Sequence, residues 1–215
     1  MNTATMTTTI MNPAFANHHS EKSPVAPKAT AAKVAVSCTD ISFSYTSDKP
    51  VLTKLSMTVP QSSIYSLLGA SSSGKTTLIK IITGTLKASS GSVTIFGQKL
   101  GTSGCSVPGT GVGVMPQELA IYPHFSVAST LRYFGRLNRL SELQISERIS
   151  YLREYLELPD TGRPVATLSG GQQRRVSLAV ALLHSPALVV LGETMIHSHV
   201  KNFLKLFIFF YSGFR

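Results

Sequence analysis

The sequence predicts an α/β fold in which strands alternate with helices and some strands run parallel. Residues 64–68 are a short apolar run that ends at a glycine, as a buried parallel strand does. A Gly- and Ser-rich loop and then a segment with helical spacing follow this run directly. The very apolar run 187–191 follows a second helical segment. The recurring order of strand and helix indicates a nucleotide-binding type of architecture.

The individual elements follow from hydrophobic spacing and turn residues. Strands are predicted at 38–45, 51–59, 64–68, 92–96 and 187–191, with a turn at 47–50 and a loop over 100–113. Helices are predicted from about Gly74, within 127–158, and over about 172–183. In the long helical stretch, the apolar residues Ile145, Ile149, Leu152 and Leu156 are spaced by four, three and four. This spacing places them on one buried face.

Composition narrows the class of protein. The chain has 215 residues, of which 43% are hydrophobic, so one domain with a sizeable core is expected. No apolar run reaches the ~18 to 20 residues of a membrane helix, and two cysteines make no disulfide framework.

The net charge of +10 raises the question whether the chain binds nucleic acid. The densest cluster of basic residues in the central part of the chain is only Arg174-Arg175, and no aromatic residues are interleaved with it. Binding of nucleic acid is therefore not expected. Residues 1–37 lack periodicity and are predicted to be a disordered extension.

Residues 69–76 form the strongest motif of the chain. Gly69 is followed by four small residues and then by Gly74, Lys75 and Thr76, the spacing of a phosphate-binding loop. Small residues let consecutive backbone N–H groups surround phosphates, and the following helix adds a positive dipole end. Lys75 would reach the β- and γ-phosphates, and the Thr76 hydroxyl would bind Mg²⁺. A chance Gly/Ser loop with a surface lysine is the alternative, and the flanking strand and helix argue against it.

A second anion-binding motif lies about a hundred residues later. Leu168, Ser169, Gly170, Gly171 and Gln172 place a serine and two glycines at a predicted helix start. One domain rarely needs two such motifs for one nucleotide. A head-to-tail dimer, with each ATP between the loop of one chain and the Ser-Gly-Gly of the other, explains both. A plain helix cap at Ser169 is the alternative.

Together the two motifs resemble the ATP-binding domain of ABC transporters. The resemblance covers residues 38–191 and implies a P-loop NTPase core with an antiparallel β subdomain and a helical insertion at about 120–165. It implies that Tyr45 stacks on adenine and that Gln117 contacts Mg²⁺ and the attacking water and senses a transmembrane domain. The ATP-binding residues it implies are Tyr45, Gly69, Ala70, Ser71, Ser72, Ser73, Gly74, Lys75, Thr76, Thr77 and Gln117, with Mg²⁺ on Thr76 and Gln117.

Residues 107–118, 121–126 and 168–179 look like arthropod ABC subfamily H and are also similar to the related branch of subfamily G. This resemblance implies that the intact protein is a half-transporter that exports hydrophobic or lipid-like substrates. Its ATP-binding domain would lie on the cytoplasmic face of a membrane and would pair with a second ATP-binding domain and with a transmembrane domain. Ser72 departs from the usual glycine of the family, and nucleotide binding is expected to survive the change.

The resemblance stops after Leu191. The family continues with Asp-Glu-Pro-Thr, whereas this chain reads Gly192, Glu193, Thr194. The metal-supporting Asp, the D-loop and the switch histidine are therefore not found, and Glu193 matches the catalytic Glu only in position. His197 and His199 are weak metal candidates in a tail that we expect to be disordered.

Residues 192–215 are interpreted as a tail foreign to the family. Its apolar run 206–211 is an aggregation hazard if exposed. Reading from the first base of an Asp codon into an intron that begins GTGAG would give Gly-Glu, so translated intron is one hypothesis. An uninterrupted coding exon in the genomic DNA after the Leu191 codon would refute it.

Several functional alternatives stay open at this stage. The intact parent is expected to hydrolyse ATP, whereas this chain is expected to bind nucleotide with little hydrolysis. It could then be a catalytically impaired fragment or a decoy that blocks dimerisation of a full-length subunit. A non-transport ABC ATPase acting on ribosomes or DNA is a further alternative. A kinase or GTPase is disfavoured by residues 168–172.

Overall fold

Two sheets and a helical region make up the structure, a computed structural model. It describes residues 7–11, 33–47, 49–70, 72–192 and 204–210. The α/β class predicted from the sequence is confirmed, including the antiparallel subdomain and the helical insertion.

The smaller sheet is antiparallel and has four strands in the order β3-β2-β5-β6. Its strands are β2 (Val34–Thr46), β3 (Lys49–Pro60), β5 (Ser90–Ile95) and β6 (Gln98–Lys99). β2 buries one face, with Val36, Cys38 and Ile41 at 0 to 2% exposure. Because Gly91 has φ +89° and its missing side chain leaves room for the Thr39 and Asp40 carbonyls, β5 can follow the bulge in β2.

The larger sheet has five strands in the order β1-β4-β9-β8-β7. They are β1 (Thr7–Met11), β4 (Ile64–Gly69), β7 (Val112–Met115), β8 (Leu188–Leu191) and β9 (Leu204–Phe210). β7 and β8 pair in parallel, whereas β9 pairs antiparallel with both β4 and β8. β4 and β8 consequently run in the same direction, and the phosphate loop and residue 192 leave the sheet at the same edge.

Four α-helices complete the described architecture: α1 (Lys75–Ile82), α2 (Val127–Leu137), α3 (Glu142–Tyr155) and α4 (Gly170–Leu182). α1 buries Leu78, Ile81 and Ile82 against the strands. α2, α3 and α4 form a separate core, in which Leu131, Leu152 and Val176 are almost fully buried. Capping boxes at Ser141 and Ser169 fix the starts of α3 and α4.

Two segments depart from the sequence prediction. Residues 34–37 belong to β2, and residues 7–11 form β1, although 1–37 is predicted to be a disordered extension. Residues 204–210 lie in the tail that is predicted to be disordered, yet their backbone pairs on both sides inside the larger sheet. In both cases pairing with a distant strand supplies hydrogen bonds that local sequence patterns do not reveal.

Candidate functional site

The phosphate loop begins where β4 ends at Gly69 and passes into α1 at Gly74. Gly74 has φ +87°, and a Cβ there would lie 2.9 Å from Leu52 Cδ2 and 3.1 Å from the Val51 carbonyl oxygen. Glycine is therefore required both by the left-handed backbone and by the close approach of β3. The loop is held against the antiparallel sheet. α1 begins at the loop and has no acidic residue in its first turn, so the positive end of the helix dipole is available to an anion.

Lys75 lies folded into the loop and is only 6% exposed. Its ammonium donates hydrogen bonds to the carbonyl oxygens of Gly69 at 2.7 Å and Ala70 at 2.6 Å, and to Ser73 Oγ at 3.2 Å. These acceptors satisfy a buried charge that would otherwise be costly. A phosphate in the loop offers stronger, charged acceptors to the same group.

Ser72 occupies a left-handed conformation with φ +67°. Serine pays a steric penalty in this region that glycine does not. The backbone nevertheless adopts it, and Ser72 is exposed at the nucleotide cleft. This left-handed conformation stores local strain at a position where glycine would have none.

Tyr45 provides an aromatic wall at the end of β2. The residue as a whole is 61% exposed, and its ring lies against Phe43 edge to face, with ring centroids 4.9 Å apart at 86°. Its hydroxyl lies 3.3 Å from Thr77 Oγ1 on α1. The ring is thus braced from two sides while most of it remains accessible, which suits stacking on a base.

A cleft of about 500 Å³ brings the predicted groups together. It is lined by Tyr45, Val51, Ser72, Ser73, Gly74, Lys75, Thr76, Thr77 and Gln117. The sequence positions of Tyr45, Thr76 and Gln117 are far apart, yet all three side chains face one space. The cleft can hold a nucleotide with its base at Tyr45 and its phosphates at the loop.

The donor set of the cleft suits Mg²⁺. Thr76 is exposed on the first turn of α1, and Gln117 follows the end of β7, so a hydroxyl and an amide oxygen line the same space. Mg²⁺ at phosphate sites takes few protein ligands and completes its shell with phosphate oxygens and water. Within the described ranges there is no group of three or more His, Cys, Asp or Glu residues that could hold a metal ion.

The second predicted motif lies at the start of α4 and away from this cleft. Ser169 Oγ accepts a hydrogen bond from the Gln172 N–H at 3.3 Å, and the Gln172 side chain accepts one from the Ser169 N–H at 3.0 Å. Leu168 is buried at 6% exposure and anchors the turn. A Cβ on Gly170 or Gly171 would meet no atom within 4 Å. The motif is a capped helix start that stands open, and none of its five residues lines the Tyr45 cleft.

Some predicted residues fall outside the described residues, namely Ser71, Glu193, His197 and His199. Sequence reasoning also missed three contributors. Val51 of β3 lines the cleft. Phe43 packs against Tyr45, and the two-residue spacing of this pair on β2 could have indicated the contact. Gly192 packs against Gln117, and no sequence signal announces that contact.

Comparison with known proteins agrees with this geometry. The family described as "ABC transporter" matches residues 52–195. ABC transporter G family member 23 of Dictyostelium discoideum is 41% identical over 160 residues, covering 74% of this chain and 23% of the relative. Nod factor export ATP-binding protein I of Sinorhizobium fredii is 32% identical over 174 residues, covering 80% of this chain and 50% of the relative. The chain thus spans between about a quarter and a half of the length of these curated relatives.

Solved structures show the same fold. The structure of cbiO1 from Clostridium perfringens, part of the ABC transporter complex cbiONQ, aligns with a TM-score of 0.65 at 22% identity, over 75% of this chain and 66% of that one. A structure of an ATP binding subunit of an ABC transporter gives a TM-score of 0.61 over 74% of this chain and 66% of that one. Among the helices within the described ranges, none has the length and apolarity needed to cross a membrane. With both motifs in place and the family match extending over most of the chain, the chain belongs to the ABC transporter family and carries its ATP-binding domain.

Proposed function

We propose that this chain binds MgATP in the Tyr45 cleft and acts as the ATP-binding part of an ABC half-transporter. The observation that carries the proposal is the convergence of Tyr45, the phosphate loop and Gln117 on one cleft of about 500 Å³. A small-molecule kinase or a GTPase would use the loop but would leave the Ser169 motif without a purpose.

The residues of the cleft divide the work of holding nucleotide. Tyr45 stacks the base, and the N–H groups of the loop and of the first turn of α1 surround the phosphates. Lys75 exchanges its carbonyl acceptors for phosphate oxygens. Thr76 and Gln117 hold Mg²⁺, which supplies neutralisation of phosphate charge when bound.

The Ser169 motif acts on the nucleotide of a second ATP-binding domain. Ser169 and Gly170 of this motif are exposed, the first turn of α4 carries no acidic residue, and the motif lies outside the cleft of its own chain. Its hydroxyl and N–H groups form an anion-binding helix start. A head-to-tail dimer gives each motif a phosphate, with Ser169 and Gly171 closing over ATP in trans.

A transmembrane domain docks near Gln117 in this proposal. An exposed aromatic surface, consisting of Tyr122, Phe125 and Tyr133, follows Gln117 along the chain, with ring centroids 5.0 to 5.9 Å apart. Their exposed fractions are 47%, 37% and 37%. Exposed aromatic clusters of this kind are typical of protein interfaces. Gln117 would then report occupancy of the cleft to this surface, on the cytoplasmic face of the membrane.

We further propose a half-transporter of the subfamily G and H type that exports hydrophobic or lipid-like substrates. The similarity to G family members supports the subfamily G part, and the similarity to an export ATP-binding protein supports export. In this proposal the ATP-binding domain spans 38–191, with its helical subdomain at about 120–165, and the family match continues to residue 195. Domain closure on ATP and reopening after hydrolysis would drive export.

Hydrolysis by this chain is proposed to be weak, because Gly192 stands where the family has its metal-supporting Asp. The purified full chain should therefore bind ATP with Mg²⁺ but turn it over far more slowly than an intact ABC domain. Turnover at the rate of an intact domain contradicts the impairment, and absence of ATP binding contradicts the proposed function.

The missing carboxylate also favours a decoy as the second candidate. Such a chain would bind ATP and pair with an intact half-transporter, blocking its turnover. Co-purification with an intact subunit, together with a fall in that subunit's ATPase rate, supports the decoy. Monomeric behaviour at saturating ATP contradicts it.

A further inference from the structure

A cavity of about 260 Å³ lies between α3, α4 and β8. Five of its lining residues recur with the spacing of one helical face along α3 and its C-terminal end: Arg148, Tyr151, Leu152, Tyr155 and Leu156. α4 adds Leu178 and Leu182, which are one helical turn apart. β8 adds Val189 and Leu191, whose alternate positions put them on the same side of the sheet. Each element therefore turns one face to the same space, and no described residue lines both this cavity and the Tyr45 cleft.

The walls of this cavity are mostly hydrocarbon. Leu152 is 1% exposed and Val189 is 2% exposed, so the inner end of the cavity belongs to the packed core. Tyr155 is 59% exposed and lies at the outer end, where its ring stacks on that of Tyr151 with ring centroids 5.7 Å apart. Water in such a space finds few hydrogen-bond partners. An apolar molecule that takes the place of water is therefore favoured by the hydrophobic effect.

Arg148 brings a positive charge to the lining, to which no described Asp or Glu contributes. Its Nε donates a hydrogen bond to the Leu183 carbonyl oxygen at 3.0 Å, and its Nη2 donates one to the Leu182 carbonyl oxygen at 2.9 Å. The guanidinium also lies over the Tyr151 ring, 5.5 Å from the ring centroid. These contacts fix its position but use only two of its five N–H donors. Because no described carboxylate forms a salt bridge with Arg148, an anion in the cavity would meet an uncompensated cation.

The geometry points to a binding site for a short acyl chain that ends in a carboxylate. The chain lies against the leucines of α3 and α4, and the carboxylate accepts hydrogen bonds from Arg148. An apolar cavity of ~150 Å³ holds benzene, so a cavity of about 260 Å³ holds a ligand of about ten non-hydrogen atoms, which is the size of octanoate. This inference goes beyond the proposed MgATP function and does not depend on it.

Isothermal titration of the full chain with octanoate tests the site, and octanol serves as the uncharged probe of the same length. Octanoate should bind with one-to-one stoichiometry. It should bind at least about 10-fold more tightly than octanol, because only the carboxylate can form charge-assisted hydrogen bonds with Arg148. Absence of octanoate binding, or equal affinity for the two probes, overturns the inference.

Two arginine variants of α3 test the role of the charge. Arg148→Gln should lower the affinity for octanoate by about 10-fold and leave the affinity for octanol unchanged. Arg153→Gln is the matched control, because Arg153 is exposed on the same helix and does not line the cavity; it should bind both probes like the parent. Unchanged octanoate affinity in Arg148→Gln overturns the inference.

The phosphate loop is the other anion site that octanoate could occupy. Saturating inorganic triphosphate, which is a probe for that loop, should leave the affinity for octanoate unchanged, because no described residue lines both sites. Displacement of octanoate by triphosphate places the carboxylate in the phosphate loop and overturns the inference. Octanoate binding without ATP binding supports this inference and counts against the proposed function.

Arg148→Gln also removes two hydrogen bonds to the end of α4, so a second variant leaves them in place. Leu178→Trp fills the cavity with a larger side chain and should abolish binding of both probes, while the melting temperature stays the same or rises. Leu143→Trp is the control, because Leu143 of α3 is 71% exposed and does not line the cavity. Undiminished octanoate binding by Leu178→Trp places the ligand elsewhere and overturns the inference.

Discussion

The two anion-binding helix starts of this chain differ in how far each is completed by its own surroundings. At α1, Gly74 is wedged against Val51 and Leu52, Lys75 is buried, and Tyr45 stands opposite. At α4, Gly170 and Gly171 have no atom within 4 Å of an added Cβ. The first site has walls, a cation and a place for a base. The second has only a capped helix start, and in the proposed dimer its ligand would come from another chain.

This difference teaches that similar local motifs can have different partners. Both helices lack acidic residues in the first turn, so both present a positive dipole end. The α1 site combines a buried lysine of its own helix with an aromatic side chain from β2. The α1 site should therefore govern nucleotide affinity of a single chain, and the α4 site should govern association between chains.

The largest predicted effect is that of Lys75→Ala on the affinity of the α1 site for ATP. The variant loses charge-assisted hydrogen bonds to phosphate, each worth about 1.5–3 kcal/mol, so affinity for ATP should fall by about 10- to 100-fold. Isothermal titration of the full chain with MgATP measures it. Lys80→Ala, which removes an exposed lysine from the same helix, is the control. Unchanged affinity in Lys75→Ala would move the site away from this loop.

Gly171→Asp should abolish the function of the α4 helix start and leave the α1 site unchanged. The new carboxylate enters open space, so the melting temperature should stay near that of the parent. ATP-dependent dimerisation should be lost, because the carboxylate repels the phosphates of the partner's nucleotide. Sedimentation velocity with and without MgATP measures it.

The control for that prediction is Gln98→Glu, which adds one negative charge at exposed β6. It should dimerise like the parent. Dimerisation of Gly171→Asp at the concentration of the parent would mean that the α4 helix start is only a structural cap.

Tyr45→Ala should have a smaller effect on the α1 side. Loss of stacking costs about 1–3 kcal/mol per base in aromatic sites, so ATP affinity should fall while affinity for inorganic triphosphate stays the same. Tyr45→Phe keeps the ring and removes only the 3.3 Å contact with Thr77, so it should bind like the parent. An equal loss for ATP and triphosphate would show that the ring does not contact the base.

The smallest predicted effect concerns His184, which follows the C-terminal end of α4 and makes the stability of the chain depend on pH. Its ring nitrogen Nε2 lies 3.1 Å from the Val112 carbonyl oxygen and connects the end of α4 to β7. Burial lowers the pKa of His184 below its ordinary value of 6.5; the nearby Arg148 charge lowers it further, and the Val112 hydrogen bond opposes this. The folded state therefore binds the proton less well than the unfolded state.

The contribution of His184 to the free energy of unfolding is fully present above the ordinary pKa of the group. It is lost as the pH falls below that value. The melting temperature should fall as the pH drops below that ordinary value, and His184→Gln should reduce the fall. His124, which is exposed, provides the control as His124→Gln. An identical pH profile in parent and His184→Gln contradicts the role of His184.

Much of the fold could be predicted from local patterns, because the elements around the site obey local rules. The glycine that ends β4 and the small residues before Lys75 predict the strand, loop and helix in order. Helical spacing predicts the buried residues Ile145 and Leu152 of α3. The start of α4 follows from Ser169 as an N-cap with Gln172 three residues later.

The features that escaped prediction all depend on distant backbone. β1 and β9 exist as strands through their pairing with β4 and β8, and nothing in their own spacing identifies those partners. The contact between Gly192 and Gln117 joins two strand ends that are 75 positions apart in the printed numbering. Ser72 in a left-handed conformation is likewise imposed by the loop around it.

A mixing experiment tests most directly whether the two helix starts act on one nucleotide across two chains. Lys75→Ala and Gly171→Asp should each fail to form an ATP-dependent dimer alone. Mixed together, they should form a heterodimer with one intact composite site, in which the loop of one chain meets the Ser169 motif of the other. Sedimentation with MgATP should then show dimer in the mixture and monomer in each separate sample. A mixture that stays as monomeric as its components would contradict the account.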